Sequence, residues 1–209
     1  MERLFILNYL KELSSIMNEK KDYLIELDSV VGDGDLGLTM SDGFKSAYEA
    51  IKISKEKDLG RLLFAAGKAM SSAVPSTMGT LMASGFMQAG KAFKGKETME
   101  FEEITELLRS YAEGIMNRGK AKPGEKTFID GLLPAIYKMD EALAKGLNER
   151  QVMEAGMNGA IEGYNSTATM LAVHGRAATR GEASKKLKDP GAAVAVLMLQ
   201  ALEKSVLIK

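Results

Sequence analysis

Apolar side chains recur at three- and four-residue spacing through almost the whole chain, and no convincing two-residue alternation replaces them. Residues 3–20 carry Leu4, Leu7, Leu10, Leu13 and Met17 on one stripe, the pattern of an amphipathic helix. The same period continues through residues 38–54, 58–74, 79–94, 100–118, 127–146, 149–173 and 191–209. A chain with only this period can bury its apolar surface only by packing helix on helix. The expectation is an all-α domain of roughly eight helices. The 209 residues contain no low-complexity linker and no internal repeat, so residues 1–209 are read as one domain.

Local punctuation agrees. Asp58 stands where it can cap the helix of Leu62, Leu63 and Ala66, and Thr98 precedes Phe101, Ile104 and Leu108 in the same way. Pro75, Pro123 and Pro190 fall in connections, where a missing N–H is harmless, whereas Pro134 lies inside a helical stretch and predicts a kink or an early first turn. Lys plus Arg and Asp plus Glu both number 28, which removes the electrostatic case for non-specific nucleic-acid or membrane-surface binding. With no cysteine in the chain, disulfides, thiolate zinc sites and cysteine nucleophiles are excluded. The charged N-terminal stretch does not read as a signal peptide, and no 18 uninterrupted apolar residues occur; a cytoplasmic protein is expected.

The chemistry concentrates in the connections. Asp28-Ser29-Val30-Val31-Gly32-Asp33-Gly34-Asp35-Leu36-Gly37-Leu38-Thr39 places three carboxylates within eight residues, after an apolar helical stretch, Tyr23 to Leu27, that Asp28 closes. A D-G-D turn between two helices can be structure alone. Three mutually repelling carboxylates, however, are hard oxygen ligands suited to Mg²⁺ or Ca²⁺. The EF-hand spacing fails, because a calcium loop begun at Asp33 puts Phe44 where a bidentate Glu belongs, and one begun at Asp28 puts Val30 at its third position.

Four further loops lie between later helices. Val74-Pro75-Ser76-Thr77-Met78-Gly79-Thr80 is hydroxyl-rich and opens a helix, fit for capping or for holding phosphate oxygens. The segment 117–127 is basic and contains glycines, and 174–182 carries Arg176 and Arg180; arginine forks onto phosphate as no other side chain does. Asp189-Pro190-Gly191 precedes the last helix. Taken singly, each basic loop is ordinary solvated surface. Gathered at one rim opposite the acidic loop, they would meet the demands of a metal–nucleotide complex. Gly85 to Ala92 nearly spells a Walker A loop, but Ala92 replaces the required hydroxyl residue and no strand precedes it. His174 is the single histidine and reads as a loop-edge residue.

The run L-D-S-V-V-G-D-G-D-L-G-L-T-M, then R-G-K-A-K-P-G-E-K-T, G-R-A and D-P-G-A, resembles the ADP-binding L-subunit of dihydroxyacetone kinases, the DhaL or DAK2 domain family, over nearly the whole chain. The resemblance implies an antiparallel eight-helix barrel with the nucleotide–magnesium site in the loops at one end. It implies two Mg²⁺ held by Asp28, Asp33 and Asp35, and ADP or ATP along the backbone of Leu36, Gly37, Leu38 and Thr39. Ser76 and Thr77 would lie at phosphates, Gly119 and Phe128 at the base, and Asp189, Pro190 and Gly191 over the nucleotide. Arg176 would meet a phosphate and, with Asp35, would serve catalysis. The family pattern often has a polar residue where this chain has Leu36, and a more glycine-rich loop where it has Val74 to Gly79.

In that family the L-subunit transfers a phosphoryl group to dihydroxyacetone, or a related short ketose, bound covalently to a histidine of a separate K-type subunit. No general base is evident in this chain, and the partner would supply one. In phosphotransferase-system bacteria, ADP stays bound and is recharged by a phosphohistidine donor subunit. A stand-alone ATP-dependent short-sugar kinase component, or a non-catalytic nucleotide-binding partner of a regulator, would carry the same metal loop.

Overall fold

The structure, a computed structural model, describes residues 1–207. Among these there are nine α-helices: α1 (Arg3–Glu19), α2 (Lys21–Val31), α3 (Leu36–Lys52), α4 (Leu59–Ala73), α5 (Thr77–Ala92), α6 (Ile104–Gly119), α7 (Phe128–Ala144), α8 (Glu149–Ser166) and α9 (Pro190–Leu207). Three short 3₁₀ segments complete them, and the single extended contact is an isolated bridge between Glu2 and Thr98. The all-α expectation is met.

Three local expectations differ from what is found. The helix before the acidic loop does not stop at Asp28: α2 runs on to Val31, whose buried side chain anchors its last turn. The stretch expected over 149–173 ends at Ser166. There Ser166 Oγ and Thr167 Oγ1 donate to the carbonyls of Gly163 and Tyr164 at 2.7 and 2.6 Å, a local competition that unwinds helix ends. Thr98 caps nothing. The turn into α6 is instead fixed by a reciprocal pair in which Glu103 accepts from the Glu100 amide, and Glu100 from that of Glu103. Asp58 does cap α4, accepting from Arg61 N at 3.1 Å. Helix α7 continues through Pro134. Here α8 lies so close that a Cβ built on Gly159 would stand 2.5 Å from the Pro134 carbonyl, and one on Gly163 2.3 Å from that of Asp130.

The helices contact one another in the order α1–α3–α4–α5–α6–α7–α8–α9, and α9 returns to α1, with α2 set against α3. Close approach around this ring rests on small residues. A Cβ on Gly85 would fall 2.8 Å from the Tyr111 ring, and one on Gly114 2.4 Å from the Ser84 carbonyl. The near-Walker stretch therefore serves helix packing inside α5. Phe44, Phe86, Tyr111 and Phe128 follow one another through the core with centroid separations of 6.0, 5.0 and 6.2 Å, each at a distance favourable for aromatic pairs. Helix α9 is long and apolar enough by composition to cross a membrane, but two-thirds of it is buried within the fold (67%), against α1, α7 and α8.

Candidate functional site

Every second connection of the chain arrives at one end of the ring. Residues of the α2–α3, α4–α5, α6–α7 and α8–α9 connections line a single cavity of about 890 Å³. The α3–α4, α5–α6 and α7–α8 connections do not contribute to it. Residues 28–36, 75–81, 115–128, 174–177 and 189–191 thus meet although they are far apart in sequence.

One wall is acidic. Asp28, Asp33 and Asp35 each offer an oxygen, all within 4.8 Å of one another. The turn that folds them together needs Gly34, at φ +76°, where a Cβ would also strike Ser29 Oγ. Asp28 Oδ2 accepts from Leu36 N at 3.3 Å. Asp35 occupies the N-cap position of α3, yet its side chain makes no capping hydrogen bond among the described residues, so its carboxylate is available to a ligand. Burial first, and then the charges of Asp33 and Asp35, raise the Asp28 carboxyl above its ordinary value despite the Leu36 and Gly34 amides. A divalent cation would relieve that repulsion, and an all-oxygen donor set of this kind suits Mg²⁺. The residues present therefore fit a magnesium ion. The fourth loop supplies the local counter-charge: Arg176 Nη2 lies 2.7 Å from Asp33 Oδ2, with both side chains substantially exposed. An exposed pair of this kind contributes about 0–1 kcal/mol, so the guanidinium is free to move to a better partner.

The same cavity has an apolar slot lined by Met78, Leu81, Ile115, Gly119 and Phe128. Gly119 keeps it open, since a Cβ there would meet Leu81 Cδ2 at 2.9 Å. Ser76 and Thr77 edge the cavity where α5 begins. Ser76 Oγ caps Gly79 N at 3.0 Å and receives Thr39 Oγ1 at 3.3 Å. Helices α5, α7 and α9 all begin at this wall, and helix N-termini favour anions.

Placement varies among the residues singled out from the sequence. Asp28, Asp33, Asp35, Leu36, Ser76, Thr77, Gly119, Phe128, Arg176, Asp189, Pro190 and Gly191 all line the cavity. Gly37, Leu38 and Thr39 do not: Gly37 packs on α2, Leu38 projects outward half exposed, and Thr39 is buried behind Ser76. The Leu36 side chain is buried in the core, which accounts for an apolar residue beside the acidic turn. Arg180 is exposed and stands off the cavity wall. His174 is more than a loop-edge residue, since its Nε2 lies 2.6 Å from Glu125 Oε2 and ties two cavity loops together.

Two buried charged groups went unnoticed in the sequence. Lys126, read there as part of a solvated basic loop, is only 3% exposed. Asp130 is also buried and accepts from Gly124 N and Thr127 N at 2.5 and 2.7 Å, which shapes the loop into α7. The spacing Thr127–Asp130 is a capping-box signal that could have found the second. Asp189 is buried beside them and accepts from Ala192 N at 2.7 Å. Burial pushes its carboxyl up to about 7, and the neighbouring Asp130 adds to the rise while the Ala192 amide and Lys126 oppose it.

Known proteins share this plan. The chain is 33% identical to "PEP-dependent dihydroxyacetone kinase, ADP-binding subunit DhaL" of Escherichia coli K12, over 97% of this chain and 96% of that protein. It is 28% identical to the L-erythrulose 1-kinase of Mycolicibacterium smegmatis, over 94% of this chain but 34% of that one. Among solved structures, the dihydroxyacetone kinase of C. freundii in complex with AMP-PNP and Mg²⁺ superposes with a TM-score of 0.73 at 22% identity, over 96% of this chain and 33% of that chain. This last likeness concerns the fold. Since the DAK2 domain family matches residues 30–204, the chain belongs to the DAK2 domain family.

Proposed function

We propose that this protein is the nucleotide-binding subunit of a short-ketose kinase, transferring a phosphoryl group from a Mg²⁺-complexed adenine nucleotide. The acceptor, dihydroxyacetone or a related short ketose, is held by a separate K-type subunit, and the bound ADP is recharged by a phosphohistidine donor protein of the phosphotransferase system. The observation that carries this reading is the meeting of the Asp28/Asp33/Asp35 cluster, the exposed Arg176 charge and an apolar slot in one cavity. Relatives named as separate ADP-binding subunits, at 29–33% identity, support the two-subunit form over a one-chain kinase. The absence of cysteine suits a cytoplasmic location.

Asp28, Asp33 and Asp35 would hold magnesium, two ions in this reading, which supply charge neutralisation on the phosphate oxygens. The chain's own part is binding and orientation. The slot of Leu81, Ile115, Gly119 and Phe128 takes the flat base, and the N-terminus of α5 at Ser76 and Thr77 faces phosphate. Arg176, leaving Asp33 once cations occupy the acidic wall, offsets charge on the transferred group. Asp189, Pro190 and Gly191 close the remaining side.

The test is to denature the protein purified without added nucleotide and to quantify released adenine nucleotide and magnesium. Near-stoichiometric ADP with about two Mg²⁺ is expected for a fixed cofactor. An empty protein that binds ATP reversibly would favour an exchangeable kinase, and no binding at all would refute the reading.

A further inference from the structure

Residues 167–187 leave the ring at the end of α8 and return just before α9, carrying His174 and Arg176 to the cavity rim. Little holds this strap by burial. Between residues 168 and 188 only Ala172 and Ser184 are buried, and Gly175 and Gly181 take positive φ values of 63° and 51°. A segment of this kind has little hydrophobic free energy to offset the entropy of ordering it. Something polar must close it.

The structure offers one group in that position. The Lys126 ammonium, brought inward from a backbone at φ 61°, reaches four main-chain carbonyls of the strap. Three are short, to Thr167 O at 2.7 Å, Ser184 O at 2.8 Å and Leu187 O at 2.5 Å, and the fourth, Met170 O, is at 3.4 Å. Three N–H donors therefore meet three close acceptors. Thr167 and Met170 belong to the outgoing leg, Ser184 and Leu187 to the returning one, so a single charge gathers both sides of the neck. Lys186 N to Ala168 O at 2.6 Å and Ala172 N to the Ser184 hydroxyl at 3.0 Å run alongside. The arrangement, an all-carbonyl cage around a compact cation, is the coordination a free monovalent ion would take, with the ion here tethered to the chain.

We propose that Lys126 is a positioning residue, a tethered monovalent cation whose ammonium closes the neck of the 167–187 strap and so holds Arg176 and Asp189 at the cavity. Its effect on nucleotide affinity rests on the function proposed above, whereas its effect on the strap does not. Removing the ammonium strands several buried carbonyls, each costly to leave unpaired, because charged hydrogen bonds are the strong ones. Arginine cannot substitute, since its planar fork does not point donors at carbonyls on several sides.

The experiment uses Lys126→Gly, which keeps the positive φ accessible, and Lys126→Met, which keeps the stem and removes the charge. Without nucleotide, amide hydrogen exchange across 168–187 should rise upward of about ten-fold in both variants, while α1 and α3–α6 keep their protection. Ammonium chloride should restore the strap in Lys126→Gly in a dose-dependent way. Tetramethylammonium chloride at equal ionic strength should not, and neither salt should help Lys126→Met, whose stem fills the cage. Affinity for Mg·ADP should fall with the strap in Lys126→Gly and return with ammonium. Unchanged strap exchange, equal rescue by both salts, or protection lost evenly over all helices would each overturn the proposal. Failure of the wild-type protein to bind ADP would instead strike the proposed function and leave the exchange result standing.

Discussion

The two ends of the helix ring are made of alternate connections between the same helices, and they treat charge in opposite ways. At the end away from the cavity, several polar groups find partners within the protein, although Arg3 Nε is buried without one among the described residues. Asp58 accepts from the amides of Arg61 and Gly95 at 3.1 and 2.9 Å, the N-terminal ammonium donates to Met99 O, and Asn148 with Gln151 forms a reciprocal cap on α8. Burial pushes the Asp58 carboxyl up, but those amides outweigh it and hold the group below the usual carboxylate range. At the cavity end, burial and two like charges outweigh the amides around Asp28, and its carboxyl rises. Backbone strain divides in the same way. Among the described residues, the three non-glycine positions with positive φ, Lys120, Lys126 and Lys186, all belong to the α6–α7 and α8–α9 connections at the cavity end. One end is largely closed by its own hydrogen bonds, and the other leaves three carboxylates and an exposed guanidinium at an open cavity.

The sharpest way to break the contrast is Asp35→Asn, which removes one charge from the acidic wall without touching a capping bond. Phosphoryl transfer should be abolished and Mg²⁺-nucleotide binding weakened by upward of about 100-fold, with the far-ultraviolet circular dichroism unchanged. Full activity in that variant would contradict the assignment of the acidic wall. Arg176→Ala should lower turnover by about 10³-fold and leave the melting temperature nearly unchanged, because its ion pair with Asp33 is exposed. An undiminished rate with wild-type partner subunits would remove Arg176 from the mechanism.

Asp189 tests the energetic side of the same end. Its folded value, about 7, stands above the ordinary unfolded value, 3.8. Between these values the unfolded chain releases its proton more readily than the folded one does. This group's contribution is therefore most favourable below the unfolded value and is lost as pH rises toward 7, levelling off above it. Asp189→Asn, which imitates the protonated form, should stabilise the ligand-free protein by about 2–4 kcal/mol at pH 8 and flatten its stability between pH 4 and 7. Denaturant titrations at several pH values check this, and an unchanged profile would mean the carboxyl finds compensation in the folded state. The smallest effect belongs to the closed end, where Asp58→Ala should cost about 1 kcal/mol of stability through the lost cap and leave nucleotide affinity unaltered.

Much of this was legible in the residues because it depends on short-range rules. The 3.6-residue period marked α1 and α3–α9, and the three aspartates with Gly34 marked the acidic turn, since a tight turn and its ligands lie within one segment. Helix α2 was under-read because Asp28 interrupts its apolar pattern, while the residue that extends the helix, Val31, declares itself only through its burial. Residues 167–173, the first leg of the strap, read as helix because Ser166 and Thr167 break α8 by side-chain bonds to its own carbonyls, a competition that periodicity does not register. Lys126 looked like any lysine in a basic loop, as its cage is built from carbonyls 41 to 61 residues further along the chain.

By itself, then, the sequence determined the element type, the positions of the connections and the chemical identity of each connecting loop. Those follow from local periodicity, capping and turn preferences, which act over a few residues. Tertiary structure decided which loops share a cavity, that Leu36 and Thr39 turn inward while Asp35 stays free, and that one buried ammonium gathers the neck of a 21-residue strap. These depend on closure of the helix ring. Only packing brings every second connection to the same end, and burial alone separates a solvated charge from one that must find partners.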